Sequence, residues 1–207
     1  MEILWNKKPS KYKSLQLISL NFLSKIFLDN SSKYIVLDRD GVINVDLFDY
    51  VRDPKEFEFE HKSVQAIKKL SDKNVKIVVL TNQACVSQKT ATEEMINNVH
   101  DHMKNELKKI GAEIELILFC PHANEDNCEC RKPKTGLLEK AEAKLGISLK
   151  DCFFIGDKES DLLAAKKHGC RPVLVLTGYG MHTIRTAESL MGVEIYENLF
   201  EAIENNF

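Results

Sequence analysis

From Lys33 onward, short apolar runs alternate with helical repeats, and few folds accept that pattern. Tyr34–Leu37, Val75–Leu80, Glu113–Phe119, Cys152–Ile155 and Pro172–Leu176 are brief and rich in β-branched or aromatic residues, as strands are. Between them apolar residues recur at three- and four-residue steps. The first helical stripe is Val64, Ile67 and Leu70. The second is Met95, Val99, Met103, Leu107 and Ile110. The third is Leu137, Leu138, Ala141 and Leu145. Strand–helix alternation predicts a parallel sheet covered on both faces, an α/β fold of three layers. The Met and Leu stripes read as seams of that core rather than as cofactor boxes.

The run Tyr34–Leu37 ends in two carboxylates, Asp38 and Asp40, one residue apart, and Gly41 then allows a sharp turn. Open α/β sheets place their active sites at this end of the strands. Two acids there can divide labour, one attacking or binding metal and the other handling protons. Alone, the spacing is equally that of two strand-end acids in a turn or an ion pair. It gains meaning because Thr81-Asn82, Lys132, and Gly156-Asp157-Lys158 with Asp161 follow in order.

A second constellation is Cys120-x-His122 and Cys128-x-Cys130, two tight pairs separated by five residues. Four such ligands suit tetrahedral Zn²⁺, and a filled shell leaves no open position, so the ion would be structural. Disulfides are the alternative, disfavoured in a reducing compartment. Cys85, Cys152 and Cys170 are scattered and read as buried or free thiols. No secretory cleavage pattern is visible, which points to the cytoplasm.

At 207 residues, with a formal charge of −2, the chain has the length of one domain and lacks the basic face that nucleic-acid binding requires. Residues 1–33 are the exception, holding six Lys against Glu2 and Asp29. Leu15, Ile18, Phe22 and Ile26 lie on one helical stripe there, which Leu17, Leu20, Leu23 and Phe27 widen. Polar residues interrupt the stripe, so it cannot span a bilayer. Residues 1–32 therefore read as an N-terminal extension with a helix over 12–28, packed on the body or on a second copy. A basic membrane-surface helix is the alternative. Residues 33–207 read as the single domain.

The segments Asp38-Arg39-Asp40-Gly41-Val42-Ile43-Asn44-Val45-Asp46, Leu80-Thr81-Asn82-Gln83, Cys120-Pro121-His122, Cys128-Glu129-Cys130-Arg131-Lys132-Pro133 and Gly156-Asp157-Lys158 together resemble the haloacid dehalogenase (HAD) superfamily of phosphohydrolases. Within it they are most similar to the branch of heptose-bisphosphate and histidinol phosphatases. The resemblance covers residues 33 to 180. It implies a Rossmann-like HAD fold with a minimal cap and an open site, and it implies Mg²⁺-dependent hydrolysis of a phosphomonoester. The substrate implied is a small phosphorylated metabolite, foremost heptose 1,7-bisphosphate losing its 7-phosphate on the way to nucleotide-activated heptose for surface polysaccharide. Histidinol phosphate or another small sugar phosphate is the alternative, and a non-catalytic phosphosugar-binding member a further one. Retention of Asp38, Asp40, Lys132 and Asp157 together opposes that last reading.

In this frame Asp38 is the nucleophile, since a carboxylate is ionised at neutral pH and attacks phosphorus without a base. Asp40 protonates the leaving alkoxide and then deprotonates water. The family pattern implies Asp38, Asp157 and the Asp40 carbonyl as Mg²⁺ ligands. Asp161, one turn further on, reads as a supporting acid or as a solvated first-turn acid. Thr81 holds a phosphoryl oxygen, and Lys132 screens nucleophile and phosphate together. Arg131 offers a planar fork to phosphate or sugar, with an exposed basic loop as the alternative for Arg131-Lys132. Asp46, Asn82, Gln83 and Lys158 are expected to touch substrate. The flap Asn44–Val51 is one residue longer than the family's and lacks its Gly. The loop Ala84-Cys85-Val86-Ser87-Gln88-Lys89 replaces a Gly-rich, Arg-bearing stretch that often meets the distal part of the substrate. A monomer or weak homo-oligomer is expected, without stable membrane insertion.

Overall fold

The computed structural model describes residues 33–207. The extension 1–32, with its expected helix, lies outside the described residues. Six strands, β1 (Tyr34–Leu37), β2 (Lys76–Asn82), β3 (Leu116–Cys120), β4 (Phe153–Gly156), β5 (Arg171–Val175) and β6 (Glu194–Tyr196), form one sheet in the order β3-β2-β1-β4-β5-β6. Every pairing is parallel. Six α-helices connect or follow them: α1 (Ser63–Asp72), α2 (Glu93–Lys109), α3 (Gly136–Leu145), α4 (Glu159–His168), α5 (Gly180–Thr186) and α6 (Leu199–Asn206). The order reverses at β1, which pairs with β2 on one side and β4 on the other, so a crevice opens beyond their C-terminal ends.

Alternate residues of β1 serve opposite layers, because successive side chains of a strand point to opposite faces. Ile35 and Leu37 join Ile77, Val79 and Ile155 in a core closed by α1, α6 and the C-terminal half of α2. Val36 joins Val78, Leu80 and Phe154 under α3 and α4. Both sides of β1 are thus dry, which is why its sequence carries no polar alternation. Thr92 caps α2 by accepting the Met95 N–H, and Gly146 and Gly169 end α3 and α4 in the left-handed conformation.

Two expectations need adjusting. On α2 the buried face is Ile96, Val99, His100, Met103 and Leu107, while Met95 and Ile110 at its ends are exposed. The helical period of 3.6 carries Ile96 and His100 inward beside Val99 and Met103. The strand β6 and helices α5 and α6 fall outside the periodic runs. Glu194-Ile195-Tyr196 is too short and too exposed to show an apolar pattern. The excursion between β1 and α1 is small: Val45 N–H donates to Glu58 O and Glu60 N–H to Ile43 O, an antiparallel contact that anchors the flap.

This placement separates core from rim. Ile77→Ala, at a site with no exposure, should cost about 2–5 kcal/mol. Ile195→Ala on the edge strand should stay within about 0.5 kcal/mol. Chemical denaturation of the two variants checks the contrast.

Candidate active site

Strand register assembles the site. Leu37 pairs with Val79 and with Ile155, so the residues just beyond them lie side by side at the C-terminal edge of the sheet. Asp38, Thr81 and Asp157 are delivered in this way, and the Asp38 N–H donates to Ile155 O at 2.9 Å. Lys132 arrives from the loop after β3. Its N–H donates to Asn82 Oδ1 and its carbonyl accepts from Asn82 Nδ2, both at 3.1 Å. Its ammonium then lies 2.9 Å from Asp38 Oδ1, 2.6 Å from Asp161 Oδ1 and 2.7 Å from Leu80 O. The ammonium is thus ringed by two carboxylates and a carbonyl. Burial opposes that charge, but Asp161 and Asp38 outweigh it and raise the Lys132 pKa. Asp161 is buried, and its Oδ2 also accepts the Lys158 N–H at 3.1 Å, so it is no solvated first-turn acid.

Asp157 sits in a cradle made by two glycines. A Cβ at Gly41 would lie 2.2 Å from Asp157 Oδ2, and one at Gly178 2.3 Å from it; both have positive φ, +81° and +54°. Oδ2 accepts the Tyr179 N–H at 2.8 Å. Oδ1 is buried with no hydrogen-bond partner among the described residues. Burial pushes the Asp157 pKa well up; Lys158 opposes this, and Asp38 and Asp161 add to it. Oxygens of Asp38, Asp157 and Asp161 lie within 4.8 Å of one another. Lys132 and Lys158 face Asp38, Asp157, Asp161 and Asp46, so acids outnumber ammonium groups and leave room in charge for a divalent cation. A buried carboxylate oxygen without a partner, in an all-oxygen setting, fits Mg²⁺.

Asp40 is held differently. Arg39, with no exposure, donates to it through Nε at 3.1 Å and Nη2 at 2.8 and 3.0 Å. Asn44 Nδ2 reaches Oδ1 at 3.0 Å and Gln83 Nε2 reaches Oδ2 at 2.8 Å. Burial alone would raise the Asp40 pKa, but the Arg39 charge, the bonds from Asn44 and Arg39, and Lys158 outweigh it and hold it below the usual value. Gln83 Nε2 also donates to Thr81 Oγ1 at 2.9 Å, which leaves the threonine O–H proton to point elsewhere. Arg39 Nη1 meets His100 Nε2 at 3.1 Å. Burial and the Arg39 charge pull the His100 pKa down to about 3, so the ring is neutral and accepts.

Several residues expected at the substrate are spent inside the protein. Both ends of the Asn82 amide hold the Lys132 backbone, and the Gln83 amide holds Asp40 and Thr81. Asp46 is buried: Oδ1 accepts the Phe48 N–H at 2.7 Å and Oδ2 the Lys158 ammonium at 2.8 Å. Two edges of the Arg131 fork are tied to its own loop, Nε to Asn124 Oδ1 at 2.7 Å and Nη1 to His122 O at 3.1 Å. Buried polar side chains take hydrogen-bond partners within the protein. Lys158 does lie at the mouth, 4.7 Å from the centre of the Tyr179 ring. Burial opposes its charge, but Asp157, Asp38 and Asp46 raise its pKa.

Arg39, Asn44, His100 and the Gly178-Tyr179 turn were not singled out by sequence reasoning. Arg39 stands between the two acids and Asn44 at the start of the flap, both within the segment that carries the resemblance but without a role of their own there. His100 carried a signal, a polar residue on the apolar stripe of α2.

The cysteine cluster closes as its spacing suggests. Cys130 Sγ lies 3.1 Å from Cys120 Sγ and 3.6 Å from Cys128 Sγ, and His122 Nδ1 lies 3.3 and 3.6 Å from the sulfurs of Cys130 and Cys120. All four ligand atoms fall within 4.8 Å of one another, and the three cysteines form no disulfide. Soft, convergent donors of this kind fit Zn²⁺. The loop they close leads directly into Arg131 and Lys132.

The neutral His100 gives a stability prediction. Its folded pKa of about 3 lies below the ordinary 6.5, so between those values the unfolded chain binds the extra proton. Wild-type stability should fall with acid through this window, by up to about 1.4 kcal/mol per pH unit from this group. His100→Gln should flatten the dependence by that amount. The raised Asp157 acts in the opposite sense in both proteins and cancels. Urea unfolding at pH 4 to 7 checks it; equal slopes would place the histidine proton elsewhere.

Comparison with known proteins agrees with this geometry. A family model described as HAD-hydrolase-like matches residues 129–202. D-glycero-β-D-manno-heptose-1,7-bisphosphate 7-phosphatase of Pseudomonas aeruginosa is 37% identical over 154 residues, 74% of this chain and 86% of that protein. The corresponding α-anomer phosphatase of Photorhabdus laumondii is 34% identical, across 83% of this chain and 94% of its own. The crystal structure of the D,D-heptose 1,7-bisphosphate phosphatase of B. bronchiseptica, complexed with magnesium and phosphate, superposes with a TM-score of 0.80 at 34% identity, covering 84% of this chain and 97% of that one. On this identity and coverage the chain belongs to the HAD-like hydrolases, in the family of the heptose-bisphosphate phosphatases, and is a phosphatase.

Proposed function

We propose that this phosphatase removes the 7-phosphate of D-glycero-D-manno-heptose 1,7-bisphosphate through an aspartyl-phosphate on Asp38. The observation that carries the chemistry is the meeting of Asp38, Asp157, Asp161 and Lys132 at adjacent strand ends, with Thr81 beside them. The relatives' activity supports the substrate.

Asp38, Asp157 and the Asp40 carbonyl would hold Mg²⁺, which neutralises phosphate charge so that an anionic nucleophile can approach. An Asp38 oxygen attacks phosphorus, and the bond from phosphorus to the sugar oxygen breaks with its electron pair on that oxygen. Lys132 keeps Asp38 oriented and offsets the gathering negative charge. The Thr81 O–H donates to a phosphoryl oxygen. Asp40 hands the leaving oxygen a proton. As found it is ionised, but a phosphoryl group arriving beside it adds like charge and favours its acid form. In the second step a water loses its proton to Asp40 and attacks the aspartyl-phosphate, and phosphate leaves with Asp38 restored. Lys158 and the remaining edge of the Arg131 fork flank the entrance and screen the rest of the substrate.

Zinc at Cys120, His122, Cys128 and Cys130 would hold in shape a loop whose exposed residues 124–127 supply no core. The enzyme works in the cytoplasm, as a monomer or weak homo-oligomer. No described helix is long and apolar enough to cross a membrane.

One observation favours a second reading, histidinol phosphate or another small sugar phosphate. In the loop Ala84–Lys89, Cys85 is buried and packs with Ala91, Ile96, Tyr50 and Val86, and the loop offers no arginine toward a distal phosphate. A turnover panel of both heptose bisphosphate anomers, histidinol phosphate and simple sugar phosphates, with and without Mg²⁺, decides the matter. The heptose bisphosphates should lead kcat/KM; a lead for a monophosphate transfers the assignment to the second reading.

Asp38→Asn should lower kcat at least about a thousandfold, ~4 kcal/mol in barrier, with the fold and metal content unchanged. Residual activity within about tenfold of wild type would exclude the covalent route. Metal analysis should return one zinc per four-ligand cluster. Cys128→Ser or strong chelation should lower both Tm and activity, since binding at such a site is also folding free energy. A metal-free protein of unchanged Tm would count against the zinc.

A further inference from the structure

We propose that His100 positions the carboxylate of Asp40 by gripping the far end of Arg39, so that a helix remote from the substrate helps to break the ester bond. This rests on the reading of Asp40 as acid and base. Arg39 spans two partners: Nε and Nη2 face Asp40, and Nη1 meets His100 Nε2 at 3.1 Å. A guanidinium is rigid and planar, so fixing Nη1 fixes the edge presented to Asp40. His100 lies on the inner face of α2, 4% exposed, with its ring 5.7 Å from that of Phe119. It cannot move independently of the core.

The histidine supplies a neutral acceptor. A second cation facing Arg39 would repel it, and an apolar residue would leave a buried N–H unpaired. Asn44 and Gln83 hold one Asp40 oxygen each, from the flap and from the end of β2. Among the described residues Arg39 alone engages both oxygens, and His100 on α2 holds its outer edge through a ring nitrogen. Removing His100 keeps the Arg39 charge and loosens its aim, which separates geometry from electrostatics.

General acid help matters in proportion to how poorly the alkoxide leaves. An aryl phosphate such as p-nitrophenyl phosphate departs without it, whereas an alkyl phosphate does not. The first step alone governs kcat/KM when it is irreversible, so this ratio reads the acid role. In the holoenzyme, His100→Leu should lower kcat/KM on the best alkyl phosphate of the panel by about tenfold or more, and leave p-nitrophenyl phosphate within about threefold. His100→Gln, whose carbonyl reaches the position of Nε2, should restore the alkyl rate to within about threefold. Should the leucine variant fail to fold, His100→Asn, polar but too short for Nη1, carries the same comparison. Equal losses on both esters, or none on either, would overturn the proposal. Asp40→Asn separates the two levels. If it spares the alkyl ester, the acid–base reading of Asp40 falls; if it is selective and His100→Leu is not, only the role of His100 falls.

Discussion

A single ammonium, that of Lys132, sits where β1, β2 and α4 meet. It pairs with Asp38 and Asp161 and donates to Leu80 O, with almost no contact with water. Taking such charges out of water costs several kcal/mol per ion, and only close pairing and complete hydrogen bonding offset it. The surrounding structure meets that demand. Asn82 clamps the Lys132 backbone at both ends, and the cysteine loop approaches the same strand end from outside. Without Lys132, two buried carboxylates would face each other unscreened.

Even with it, the acids outnumber the cation. Asp157 completes a cluster whose like charges push protons onto it, and Gly41 and Gly178 hold the backbone close enough to keep it there. Like charges crowded in this way favour a cation beside them. Asp40, two residues from Asp38, escapes it because Arg39 belongs to it. Asp157 and Asp40 thus reach opposite proton affinities beyond the ends of neighbouring strands.

Around this centre the entrance is built from looser parts. The flap is held to the body by the Asp46–Lys158 pair and carries an exposed Phe48 against Tyr179, 5.1 Å between ring centres. Loop 84–89 faces Tyr50 of the same flap through apolar contacts. The strand-end acids and the entrance thus lie in different layers, the entrance in loops, which tolerate change.

Much of this was legible in the residue order. Apolar runs without polar alternation require strands covered on both sides, so five of the six strands and the parallel sheet followed from local physics. The two clusters of candidate ligands were legible for a similar reason: their residues lie close in sequence or follow strands of one sheet, so few arrangements remain. Tertiary structure alone decided which polar groups are spent internally. Asp46, Asn82 and Gln83 could each have faced substrate, and each instead meets a partner contributed by a distant segment. Arg39 is the sharper case. Nothing beside it in sequence supplies its second partner; α2, some sixty positions later, brings His100 against it. Whether a side chain points to solvent or to protein depends on what packs opposite, and that partner is set by the fold rather than by neighbours in sequence.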